Sequence, residues 1–120
     1  MIFDISATQN ALFAGWYTYA SDGAAGDPLT GQRWYSLQAS FAPGATTFND
    51  VGIFESTGGL FDYFYAVNTV LVGTADITFQ SCTALTVDYS FTAGENAGRS
   101  GTLHLTRLAP TPPGCAMLGG

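Results

Sequence analysis

In residues 84–92, Ala-Leu-Thr-Val-Asp-Tyr-Ser-Phe-Thr, apolar and polar side chains alternate without a break from Leu85 onward. On an extended chain successive side chains point to opposite faces, so Leu85, Val87, Tyr89 and Phe91 share one side. Thr86, Asp88, Ser90 and Thr92 share the other. A helix would scatter the same residues around its axis, so the segment is a half-buried strand. Gly101 to Leu108 returns with Leu103 and Leu105 inward after the turn-rich Gly-Glu-Asn-Ala-Gly-Arg-Ser-Gly, which makes a hairpin.

The same period runs through the rest of the chain, and no stretch carries a helical one. Met1 to Ile5 is a short apolar strand. Ala11 to Tyr19 is apolar on both faces, as a central strand would be. A long loop, Ser21 to Gln32, is punctuated by Asp22-Gly23 and Asp27-Pro28. Arg33 to Phe41 sets Tyr35, Leu37, Ala39 and Phe41 against Trp34, Ser36, Gln38 and Ser40. Val51 to Glu55 is a short strand ended by Gly58-Gly59. Leu60 to Val67 is ambiguous between strand and loop. Val70 to Phe79 puts Leu71, Ala75, Ile77 and Phe79 on one side. Six to eight short strands with Gly-rich turns predict an all-β antiparallel meander, closed into a small barrel or folded into a sandwich. The domain spans residues 1–109, followed by a Pro/Gly-rich tail at 110–120.

With 120 residues, 47% of them hydrophobic and 10% charged, there is material for one core and one domain. Charge narrows the partners. Three basic residues, Arg33, Arg99 and Arg107, face nine acidic ones and there is no lysine. Phosphate neutralisation carries most nucleic-acid affinity, so nucleic acid is a poor partner, and an anionic membrane surface is poor for the same reason. A neutral small molecule or glycan fits better, or an acidic surface that serves solubility alone.

Cys82 lies between two predicted strands and Cys115 in the tail. A disulfide between them would staple the tail to the sheet and contribute roughly 3–4 kcal/mol in the chain-entropy model. Such a bond implies a periplasmic or extracellular address. No apolar run approaches the length of a membrane helix. The first residues carry neither the basic nor the long apolar region of a signal peptide, and the chain begins as though inside a strand.

Together these residues resemble a family. Phe13 to Tyr19 (FAGWYTY), Ser21-Asp22-Gly23, Gly31 to Tyr35 (GQRWY), Thr57-Gly58-Gly59, Val72 to Phe79 before Cys82, and Gly101 to Leu108 resemble a module of predicted secreted and cell-surface proteins of Gram-negative bacteria. The resemblance covers nearly the whole chain and implies its fold and address. No catalytic residue comes with it. The module opens with a tryptophan-bearing segment and an S-G-x-G turn that this chain lacks, so an N-terminal segment is expected to be missing. A missing first strand leaves an unpaired edge, which predicts a homo-oligomer.

Trp16, Tyr17, Tyr19, Trp34 and Tyr35 are the suggestive aromatic constellation, since aromatic faces stack on sugar rings, and Trp16, Tyr19, Trp34 and Tyr35, with Gln38 on the face of Trp34, are the candidate ligand-binding residues. Core filling is the alternative for these rings, because strands favour aromatics in any case. His104 is the only histidine and is predicted to face away from the leucines. It would serve a hydrolase as base, and the pairs Asp76 with Asp88 and Glu55 with Asp62 would serve one that works by paired carboxylates. Exposed polar positions on solvated faces explain the same residues. Asp22 and Asp27 are weak calcium candidates whose spacing does not match an EF-hand loop. No phosphate loop, dinucleotide fingerprint, nucleophile elbow or zinc motif is present, and no cofactor is expected. The sequence favours a non-catalytic, extracytoplasmic module that binds a neutral ligand or mediates surface assembly, with a small hydrolase as the alternative.

Overall fold

The computed structural model describes residues 1–6, 9–19, 32–60 and 63–111, the side chains of 58–60 and 63–67 excepted. These residues form strands β1 (Ile2–Ser6), β2 (Ala11–Tyr19), β3 (Gln32–Ser40), β4 (Thr47–Leu60), β5 (Tyr63–Ser81), β6 (Ala84–Phe91) and β7 (Ser100–Thr106). Every strand pairs antiparallel with the next, giving one seven-stranded sheet in chain order. The meander read from the alternation is the observed fold.

Two differences concern β4 and β5. Val51–Glu55 extends at both ends into a 14-residue strand that runs on through Gly58 and Gly59. The ambiguous Leu60–Val67 segment and Val70–Phe79 contribute to the two arms of one long hairpin, the second arm reaching 19 residues. Glycine weakens a strand without ending it when the partner strand supplies the ladder, and Gly58 pairs with Val67 here.

The sheet is strongly curled. In a flat sheet β2 and β6, four places apart, would lie about 19 Å from each other. Yet Trp16 of β2 meets Tyr89 and Phe91 of β6 with ring centroids 5.1 and 5.8 Å apart. The concave face therefore encloses the core: Leu12, Ala14, Tyr35, Leu37, Phe48, Val51, Ile53, Ala75, Ile77, Val87 and Phe91 are buried. Phe3 and Ile5 of β1 and Leu103 and Leu105 of β7 pack against its two sides. Among the described residues β1 and β7 do not pair with each other. The expected closed barrel is thus an open half-barrel, because the side chains filling the concavity hold its two edges apart.

Bulges correct one face assignment. Ile53 pairs with Gly73 but Phe54 pairs with Leu71, leaving Val72 as an extra residue on β5. One extra residue inverts the alternation beyond it. Val72 is consequently buried, whereas Leu71, expected beside Ala75 and Ile77, is 52% exposed on the convex face. A second bulge, between Phe48 and Val51, holds Asp50 at φ 57°. The Asp50 amide donates to Asp76 Oδ1 at 2.9 Å, which gives that unusual conformation a fixed partner.

Candidate functional site

The ribbon β2–β3 carries the convex aromatic face. Its register sets Phe13 opposite Gln38, Gly15 opposite Ser36, and Tyr17 opposite Trp34. All six residues are uncharged. Phe13, Tyr17 and Trp34 are exposed, Tyr17 at 61% and Trp34 at 46%. The Tyr17 and Trp34 rings lie parallel within 2°, with centroids 6.2 Å apart. Tyr17 leans back along its strand over Gly15: a Cβ at Gly15 would stand 3.1 Å from the ring. The same device recurs on β4, where Phe54 leans over Gly52. Glycine here leaves room for a ring to settle on the sheet.

The concave face holds the other aromatics. Trp16 packs against Tyr35, Tyr89 and Phe91 at tilted or edge-on angles of 42–62°. Tyr35 is 2% exposed, and its hydroxyl accepts a 2.8 Å hydrogen bond from Asn96 Nδ2. Burial pushes the Tyr35 phenol above its usual pKa, the carboxylates of Glu55 and Glu95 push it further, and the Asn96 bond opposes them. Arg33 forms a fork with Glu95, and that hydrogen bond raises the guanidinium pKa. Exposed pairs of this kind contribute about 1 kcal/mol or less. Together Asn96 and Glu95 pin the β6–β7 turn to β3. Under that turn is a cleft of about 170 Å³ bordered by Trp16, Tyr19, Tyr35, Tyr89, Phe91, Asn96 and Arg99.

Strand register therefore divides the predicted ligand set. Trp34 and Gln38 share the convex face with Tyr17 of the aromatic constellation. Trp16 and Tyr35 belong to the concave side, with Tyr35 in the core. Tyr19, at the end of β2, is exposed and borders the cleft. Tyr17 shares parity with Phe13 and Tyr19, but β2 is apolar on both faces, so its sequence carries no sign of which side is core. A larger cleft of about 360 Å³ opens where β3 and β4 diverge, and Gln38, Phe41, Phe48 and Asp50 are among its borders.

The candidate hydrolytic residues cluster elsewhere. Asp76 and Asp88 are direct cross-strand neighbours on the convex side, both exposed. Asp88 accepts a hydrogen bond from Thr102 Oγ1, as Asp76 does from the Asp50 amide. His104 is exposed opposite Thr86, one diagonal step from Asp88 and so about 7–8 Å away by sheet geometry. Neither cleft reaches these three residues. Glu55 is half-buried on the concave side of β4. Asp22, Asp27, Asp62 and Cys115 lie outside the described residues. Among the described residues no group of three or more His, Cys, Asp or Glu side chains could hold a metal ion, and no helix is long and apolar enough to cross a membrane. Cys82, in the β5–β6 turn, carries no free thiol.

Comparison of the chain with protein-family models, curated proteins and solved structures gave no match.

Proposed function

We propose that the chain is a non-catalytic, extracytoplasmic β module that binds a neutral ligand, a glycan first of all, on the convex face of β2–β3. The observation that carries this reading is the exposed, parallel Tyr17–Trp34 pair. A sugar ring presents a C–H face that stacks on an aromatic ring and a rim of hydroxyls that needs polar partners. Ser36 and Gln38, on the same face of β3, supply those partners. The uncharged rows favour a neutral ligand over an ionic one. Isothermal titration against a panel of neutral oligosaccharides tests the reading, with the Trp34→Ala variant as its control. Heat with none of the sugars would sink the glycan version.

The extracytoplasmic address rests on pairing of Cys82 with Cys115 and on the resemblance to secreted bacterial modules. Thiol titration of the denatured chain checks the pairing: no reactive thiol is expected before reduction and two after. Free thiols before reduction would remove this support.

The surface-assembly reading draws on a separate feature. No strand pairs with the outer edge of β1 or of β7 among the described residues. Unpaired edges recruit strands from other chains, so a homo-oligomer is the expected state. Light scattering at rising concentration should then give a mass above that of one chain, and a constant monomer mass would defeat the reading. The hydrolase alternative has weaker support, because Asp76, Asp88 and His104 stand on an open strand face away from both clefts.

A further inference from the structure

Of the three arginines, Arg33 is engaged by Glu95, and Arg107 donates to the Pro110 carbonyl at 3.1 Å. Arg99 has no side-chain partner among the described residues. It is also the arginine that borders the concave cleft, whose other walls include Trp16, Tyr35, Tyr89 and Phe91 beside the polar Thr18 and Asn96. This guanidinium therefore stands without a side-chain partner at the rim of a largely aromatic cavity, in a chain of net charge −6.

Size limits what can enter. Clefts that take drug-sized ligands run from about 300 to 1,000 Å³, and this one measures about 170 Å³. It has room for a single ring. The tilted rings around Trp16 offer both faces and edges, which suit a flat apolar ring better than a chain. Guanidinium forms two parallel hydrogen bonds with a carboxylate, and a neutral amide cannot reproduce them.

We propose that this concave cleft is a second binding site, distinct from the convex aromatic face, for a small planar ring bearing a carboxylate. The ring lies against the partly exposed Trp16 and Tyr89 while Arg99 holds the carboxylate at the rim. Arg99 is positioned for this by the β6–β7 turn: its amide donates to the Asn96 carbonyl and its own carbonyl accepts from Phe91. Asn96 in turn is anchored on Tyr35. The core thereby sets where the guanidinium stands.

The test uses benzoate and its neutral isostere benzamide as probes of the intact chain, followed by NMR of the Trp16 indole N–H. Benzoate should shift the Trp16 signal saturably and leave that of Trp34 in place, with benzamide binding about tenfold more weakly. Arg99→Gln should lower benzoate affinity to the level of benzamide and leave benzamide unchanged. This exposed substitution lies outside the core, and the dispersed amide spectrum reports that the fold is retained. Equal affinity for the two probes, an unchanged benzoate affinity in Arg99→Gln, or no shift at Trp16 would each overturn the proposal. Trp34→Ala should not alter benzoate binding, so failure here and failure of the convex-face reading are separately visible.

Discussion

Gly73→Ala is expected to lower stability by about 3 kcal/mol, a midpoint fall of roughly 10 °C for a domain of this size. Gly73 pairs with Phe91 beside the Val72 bulge. A Cβ there would stand 2.4 Å from the Ser90 carbonyl oxygen and 3.0 Å from the Phe91 Cα. Both are backbone atoms of β6, so no rotamer change relieves the clash. Either β5 and β6 separate locally, losing ladder hydrogen bonds, or the bulge is rebuilt. Gly101 provides the contrast. Its nearest neighbour would be the Tyr89 hydroxyl at 2.6 Å, the far end of a side chain that can swing aside. Gly101→Ala should therefore cost less than half as much. Chemical denaturation of both variants checks the ranking, and equal losses would show that backbone contact with β6 is not what Gly73 provides.

The second large effect concerns binding. Trp34→Ala is expected to weaken glycan binding at least tenfold, and Tyr17→Ala to do so nearly as much. A ring packed on an aromatic side chain contributes about 0.5–1.5 kcal/mol beyond the area it buries, and tenfold corresponds to about 1.4 kcal/mol. Stability should fall by only about 1 kcal/mol, the scale of one aromatic pair, because both rings stand on the convex face outside the core. Titration calorimetry separates the two effects when paired with a melting curve. Undiminished affinity in both variants would remove the convex face from consideration.

These two sites differ in how far the sequence reveals them. The Tyr17–Trp34 pair needs only parity within two strands and the register between them. Parity is visible in β3, where Trp34 sits among Ser36 and Gln38, while the register is not. The Gly73 contact needs β6 to be known as the neighbour of β5 and the bulge at Val72 to be located. Neither follows from local pattern, since Val70-Leu71-Val72-Gly73 carries no polar residue to mark where the alternation slips. Counting by twos from Ala75 and Ile77 places Leu71 inward, and the bulge at Val72 reverses that parity. The cleft under Arg99 was the least accessible, because its walls come from β2, β3, β6 and the β6–β7 turn.

The period-two alternation, the turn residues and the low charge content were by themselves enough to determine an all-β meander with one core. Local sterics and hydrophobic burial act over a few residues, so they leave a local trace. Curvature decided the rest. Only when the sheet curls does Trp16 meet Tyr89 and Phe91, does Tyr35 receive Asn96, and do the two aromatic sets part onto opposite faces. Curvature comes from twist, bulges and the volume of the filled concavity summed over seven strands, and no single segment of the sequence carries that sum.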